Sequence, residues 1–301
     1  MASLKAIRRR IASVKSTQQI TRALKLVSAA RLRRAQEALT NALPYSEGLA
    51  RVADSLLTSE GISVGPVEGA QKRSMLVVVA SDRGQCGGYN SILLREAEKV
   101  IRDTRAADIA VELFVLGKKG VDHFKRTGEP IAMSRVDNLP RLATIALARD
   151  IAGKMLADYR SGAVDEAGII YMHFKSALTQ KPTFERLLPV KPPGDAGIKE
   201  GSSVDAEVSK ADAGKIDYLV EPTREELVPV VLRGYLEATV YHALLEAEAS
   251  EQGARMTAMD SATNNAIEMI SSLTLAMNRA RQAQITRELM DIVGGAEALR
   301  G

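Results

Sequence analysis

From Leu227 onward, one position in every three or four forms a stripe: Leu227, Val231, Gly234, Ala238, Tyr241, Leu245, Ala249, Gln252, Met256, Met259, Thr263, Ala266, Ile270, Leu273, Met277 and Ala280. The steps alternate between four and three, with one pair of fours around Leu245. A sustained 3.5-residue spacing is the seam of a coiled coil, and the irregular step is a stutter that locally relaxes the supercoil. Pro229 falls in the first turns, where proline is tolerated. Gly253 is an isolated weak point, and no further helix breaker occurs before Gly294-Gly295. A helix from about 224 to 293 is about 105 Å long at 1.5 Å per residue. A compact globule of 301 residues is only about 50 Å across, from a radius of gyration near 19 Å. Such a helix is expected to project from any globular part. Its Ala/Met/Thr-rich stripe is not stable alone in water, so it needs a partner.

The other end of the chain supplies one. Leu4, Ile7, Ile11 and Val14 open a helical stripe that resumes through Ile20, Leu24, Val27, Leu32, Ala35 and Leu39. Ser3 is the expected N-cap, and Pro44 is expected to kink or interrupt the helix near Leu43, before an amphipathic stretch to about Ser59. Residues 1–40 carry ten Lys/Arg and one acid, Glu37, whereas residues 224–301 carry seven Arg and eleven acids. The opposite charges favour antiparallel pairing modestly, because exposed ion pairs contribute little each. Gly61, Gly65, Pro66 and Gly69 mark a linker between the first helix and the middle of the chain.

In the middle the period changes. Met75–Ala80 reads as a short β-branched strand, followed by the loop Ser81–Gly88 and an amphipathic helix over 89–106. Glu112–Leu116, Ile131–Val136, Ala167–Phe174 and Phe184–Val190 are further expected strands, with helices near 118–127 and 140–160. Strands alternating with helices predict an α/β domain around a largely parallel sheet. Residues 191–215, rich in Gly, Pro, Ser, Asp and Lys, read as a mobile excursion. The expected organisation is therefore a helix over 1–60, an α/β domain over 70–220 and a second long helix over 223–301. The fold class is a long antiparallel coiled coil of the two terminal helices plus a central Rossmann-like α/β domain.

Chemistry is sparse. The lone Cys86 excludes a disulfide framework and has no neighbouring His, so it reads as a packed residue. His123, His173 and His242 fall in three separate elements; His242 and Glu246 share a helix face but lack a third ligand, and a surface pair is expected rather than a metal site. The loop Gly84-Gln-Cys-Gly87-Gly88 sits between a strand and a helix, yet it lacks the Lys-Ser/Thr of a P-loop and the three-glycine dinucleotide spacing. Asp82 and Arg83 are expected to anchor that turn. No hydrolase, zincin or paired-carboxylate motif is present, so neither intrinsic catalysis nor a cofactor is expected. Residues 1–44 contain no aromatic residue for stacking on single-stranded nucleic acid, and the longest apolar runs are far short of a membrane span. The Arg-rich, acid-poor start has the composition of an organelle transit peptide, but its helical pattern continues past residue 40 and reads as mature structure.

One segment is more specific. Asn278-Arg-Ala-Arg281-Gln282-Ala-Gln-Ile285-Thr286-Arg-Glu288-Leu-Met-Asp291-Ile-Val-Gly-Gly295-Ala296 closely resembles the signature of the gamma subunit of F-type ATP synthases. Arg10–Val14 with Thr17–Thr21, the loop Ser81–Asn90, and Ser250–Met259 are similar to other landmarks of that family, and the resemblance covers essentially the whole chain. The resemblance implies a non-catalytic rotor shaft that couples proton-driven rotation to conformational cycling of catalytic beta subunits. It implies a hexamer of alpha and beta subunits around the coiled coil, with epsilon and a c ring as the other partners. Carried over position by position, Arg281 and Gln282 are the implied contacts with a beta-subunit loop, followed by Thr286 and Glu288; Glu221 is implied at the epsilon and c-ring end. The implied location is the cytoplasmic face of a bacterial plasma membrane, as a peripheral subunit. Leu24 stands where many members carry Met, Gln85 replaces a commonly apolar residue, and Gly253 replaces a frequent Ala. The single Cys departs from the chloroplast type, whose inserted cysteine pair gives redox control.

Overall fold

The computed structural model describes residues 4–58, 72–136, 143–190, 221 and 223–298. The expected linker around Gly61–Gly69 and the 191–215 excursion lie outside these residues. Two long helices frame the described chain, α1 (Leu4–Thr58) and α5 (Arg224–Ala298). Between them come β1 (Arg73–Val79), α2 (Tyr89–Ala106), β2 (Ala110–Leu116), α3 (Lys118–Thr127), β3 (Ile131–Arg135), α4 (Ile145–Arg160), β4 (Glu166–Phe174) and β5 (Gln180–Leu188). The chain divides into two compact units: residues 1–27 with 256–301, and residues 28–255.

The larger unit is built on a five-stranded sheet in the order β3-β2-β1-β4-β5. The pairs β1–β2, β2–β3 and β1–β4 are parallel, and only β5 runs antiparallel, against β4. Central β1 is buried from Ser74 to Val79, as a parallel strand covered on both faces must be. Successive side chains alternate between two cores. Val77, Val79, Ile169 and Tyr171 face α4, α5 and the Ala38, Leu39 and Ala42 side of α1. Leu76, Val78, Ile170 and Met172 face α2 and α3, where Leu93, Ile101 and Phe124 are fully buried. Each large side chain so buried stabilises the fold by about 1.5–3 kcal/mol.

The edge strand β5 begins at Gln180, four residues before the predicted Phe184, and stops short of the predicted Val190. Its first half pairs Pro182 with Met172 and His173 with Lys181, a polar register that an edge strand accepts because one side needs no hydrogen bonds. Helix α4 starts at Ile145, where the Thr144 side chain caps it by accepting from Leu147 N at 3.2 Å, and the start expected near 140 lies outside the described residues.

Helix α1 continues through Pro44 without interruption. Proline removes only one i→i−4 bond, and Ala38, Leu39 and Ala42 in the turns just before it are held by the sheet core. In this unit α1 and α5 run antiparallel. Ala53 and Leu56 meet Val228, Val231 and Leu232, while a side chain added at Gly234 would touch Leu49 at 3.2 Å.

In the smaller unit the first turns of α1 and the last turns of α5 also pair antiparallel. Thr21 Oγ1 lies 2.8 Å from Thr263 Oγ1, and four residues on, Lys25 Nζ lies 2.5 Å from Asp260. The seam on α1 differs from the apolar stripe expected from sequence. Ile20 and Val27 are 57% and 49% exposed, whereas Thr21 and Ser28 are buried. Extending the step from Val14 by 3.5 residues arrives at Gln18, Thr21, Lys25 and Ser28, all polar, so the expected Ile20 and Val27 fall one place off the seam, while Leu24 is half-buried and Leu32 and Ala35 are buried as expected. On α5 the expected stripe is followed closely, through Met259, Thr263 and Ala266.

Candidate functional site

In the larger unit, α5 passes the C-terminal ends of β1 and β4, with Ser250 bonded to β4 and Arg255 to the loop that follows β1. These strands flank the point where the strand order reverses, the place where a doubly wound sheet holds a ligand. Here the position is filled by the chain itself. Ser250 Oγ donates to Met172 O at 2.8 Å, and Tyr89 Oη donates to Ala247 O at 3.2 Å. Gly253 permits this approach, since a Cβ there would come within 3.3 Å of Ala177 Cα and 3.5 Å of Ala177 O. The glycine that weakens an isolated helix thus sits in close packing, where an added Cβ would need the Ala177 backbone to give by a few tenths of an ångström.

Arg255 joins this helix to the loop Ser81–Gly88. Its Nε and Nη2 donate to Gly84 O at 3.3 and 3.1 Å, and Nη2 also donates to Arg83 O at 3.1 Å. The same guanidinium pairs with Glu251 at 2.7 Å. Burial pushes the Glu251 carboxyl up, while Arg255 pulls it back down. The loop thus turns carbonyl oxygens toward a cation, opposite in polarity to a phosphate cradle, which presents N–H groups. Asp82 anchors the turn as expected, accepting from Lys118 N at 2.8 Å, and Arg83 contributes its carbonyl rather than its charge. Ser81 and Asn90 close the loop: Ser81 N donates to Asn90 Oδ1 at 3.2 Å, and Asn90 Nδ2 donates to Ser81 Oγ at 2.8 Å. Gln85 takes a left-handed φ of 66°. Cys86 is buried and burial pushes its thiol up, with Arg255 opposing, so it is a packed residue of low nucleophilicity.

Two histidines that sequence placed in separate elements converge. His173 Nδ1 on β4 is 2.6 Å from Glu246 Oε2, and His242 Nδ1 is 3.8 Å from Glu246 Oε1. Glu246 is buried, so the pair expected on a helix surface belongs to the interior. The described residues contain no group of three or more His, Cys, Asp or Glu arranged to hold a metal ion. His123 instead pairs with Glu98 at 2.8 Å, tying α3 to α2.

In the smaller unit, Arg281, Gln282, Thr286 and Glu288 all lie on α5 and are all exposed. At 3.6 residues per turn Arg281 and Glu288 fall within about 20° of each other around the axis, and Gln282 and Thr286 within about 40°. The four cover two neighbouring faces of one helix. Glu288 also accepts from Gln284 Nε2 at 2.8 Å. Counting outward from the Thr21–Thr263 contact brings Leu4, the first residue of α1, level with Ala280. Partial burial of α5 stops at that residue, and every residue from Arg281 to Ala296 is exposed. Ile285, Leu289, Met290, Ile292 and Val293 are 49–68% exposed along this stretch. Glu221 is exposed and lies outside any helix or strand. No helix among the described residues is long and apolar enough to cross a membrane.

Residues 3–299 match a family model described as ATP synthase. An ATP synthase gamma chain of Pelotomaculum thermopropionicum is 42% identical over 301 residues, covering 99% of this chain and all of the relative. One from Geobacter sp. (strain M21) is 43% identical, with both chains covered in full. Among solved structures, a chain of the Tetrahymena thermophila mitochondrial ATP synthase central stalk and c ring superposes with a TM-score of 0.57 at 25% identity, covering 81% of this chain and 99% of that one. A chain of the Euglena gracilis mitochondrial ATP synthase OSCP/F1/c-ring assembly shares the fold with a TM-score of 0.64 at 17% identity, covering 98% and 94%.

Proposed function

Because this chain belongs to the family of ATP synthase gamma chains, non-catalytic central-stalk subunits, we propose that it turns as a shaft inside a ring of alpha and beta subunits. Rotation driven by proton flux through a c ring then changes the face that the shaft presents to each beta subunit. A ligand or partner shifts a conformational equilibrium only by binding one state better than another. An asymmetric shaft does so three-dimensionally, favouring the open form of one beta subunit and the closed form of another. Epsilon and the c ring are the proposed partners at the sheet end, with Glu221 among the contacts, and the subunit is proposed to sit peripherally at the cytoplasmic face of a bacterial membrane.

The observation that carries this reading is the exposed end of α5, which none of the described residues covers. A single helical stretch of 16 exposed residues, Arg281–Ala296, is marginal in water on its own. Five large apolar side chains on it gain from being covered by another protein. Arg281 and Gln282 stand where partial burial ends, at the level a surrounding sleeve would grip, with Thr286 and Glu288 one to two turns further. Arg281→Ala in the assembled complex is expected to leave folding unchanged, because the side chain is exposed. It is expected to lower ATP-driven proton pumping about tenfold or more relative to ATP hydrolysis, as loss of a charged contact of about 1.5–3 kcal/mol implies. Pumping at the unmodified ratio would remove Arg281 from the contact.

A further inference from the structure

Glu246 is the least conventional buried charge in the chain. Its side chain is 8% exposed, and the ion-pair partners that the described residues give it are two imidazoles, His173 at 2.6 Å and His242 at 3.8 Å. Lysine or arginine would hold such a carboxylate at any ordinary pH. Histidine supplies a countercharge only while its ring is doubly protonated, leaving at most a neutral N–H donor above that, and its ordinary titration lies near neutrality. We propose that Glu246 with His173, flanked by His242, is a proton-controlled clasp, which holds α5 on the end of β4 while the His173 imidazole is charged and loosens as the pH rises and that charge is lost.

The surroundings fit that role. His173 shares the β4 face of Ile169 and Tyr171, the face on which α5 packs through Leu244, Leu245 and Ala247. From its own strand it is faced by Tyr171 and Lys175, and from β5 by its register partner Lys181 and by Glu185, which accepts from Tyr171 Oη at 3.3 Å. From α5 come Glu246, His242 and, through Glu185, Tyr235. Helix α1 brings uncharged Ala38, Leu39 and Ala42 to this core, and on α4 Arg149 is engaged by Glu237 at 3.4 Å. The hydrogen bond to Glu246 holds the His173 proton above the usual imidazole range, against the opposing effects of burial and Lys175. A group whose folded pKa is raised stabilises the fold fully below its unfolded value, and that stabilisation disappears as the pH climbs through the folded value. The clasp therefore tightens toward acid and releases toward alkali.

The test is urea unfolding of the full chain between pH 6 and pH 9, for the unmodified protein, His173→Gln and Glu246→Gln. At pH 6 the unmodified chain is expected to have an unfolding constant about tenfold below that of His173→Gln, the size of a charge-assisted hydrogen bond, with the gap closing toward pH 9. A gap that stays constant across this range would overturn the clasp. Should either variant fail to fold, histidine-labelled NMR of the unmodified chain decides instead: His173 must titrate above free histidine, and titration at or below that value contradicts the proposal. Neither readout involves ATP or a partner subunit, so failure here is distinct from failure of the rotor reading.

Discussion

Arg255→Ala is expected to lower the unfolding free energy of the chain by about 3–5 kcal/mol at neutral pH, the usual penalty for stripping one partner from a buried ion pair. Two effects combine. The carbonyls of Arg83 and Gly84 lose the guanidinium that satisfies them, and the Glu251 carboxylate is left in a low-dielectric site without its counter-charge. The second effect has a pH signature. Burial already raises the Glu251 pKa, and removing Arg255 removes the largest opposing influence. An acid whose folded pKa lies above its unfolded value destabilises the fold once ionised, so the loss in Arg255→Ala grows as the pH rises above the ordinary carboxyl range and shrinks below it. Urea unfolding at pH 5 and pH 8 checks both size and slope. A loss below 1 kcal/mol, or one that is larger at pH 5, would mean that the loop is not held through this side chain.

Gly117→Ala is expected to be comparably damaging. Gly117 links β2 to α3 with φ of 86°, a left-handed conformation that L-residues avoid. An added Cβ there would lie 2.2 Å from Ala80 O and 2.7 Å from Ala80 C, both backbone atoms of the chain leaving β1. Neither can rotate away, unlike a side-chain tip, so the strand ends must separate. The loss is expected to be about 3 kcal/mol or more, combining backbone strain with overpacking. Circular dichroism during urea denaturation measures it. Near-native stability of Gly117→Ala would contradict the close approach of β1 and the β2–α3 turn.

Much of this architecture could be read from periodicity. The 3.5-residue stripe of α5 and the alternation of short apolar runs with amphipathic helices both depend on local spacing, and Met259, Thr263, Ala266 and Leu245 are buried where the stripe puts them. Periodicity failed where the seam is polar. Thr21 and Ser28 are buried while Ile20 and Val27 face outward, because close pairing of two helices favours small side chains over large apolar ones. The polar half of β5 was invisible for a related reason, since an edge strand with one solvated side carries no apolar run.

The candidate contacts divide in the same way. Arg281, Gln282, Thr286 and Glu288 came from the pattern of a motif, and all four lie exposed on the same end of α5. The Arg255 clamp and the convergence of His173 and His242 on Glu246 could not be anticipated. Arg255 and Gly84 are separated by 171 residues, and His173 and Glu246 by 73. No local spacing encodes which strand end a helix will cross. The buried Glu246 could have been flagged only by its place among apolar neighbours, Leu244, Leu245, Ala247 and Ala249.

The central claim is mechanical, and the most direct measurement is made on the chain in assembly with alpha and beta subunits, carrying an optical reporter and supplied with ATP. Unidirectional rotation of the reporter, tied to ATP hydrolysis and absent when the chain is incubated with ATP alone, is the predicted result. ATP hydrolysis by the assembly while the chain stays fixed, or appreciable turnover by the chain without alpha and beta, would contradict it.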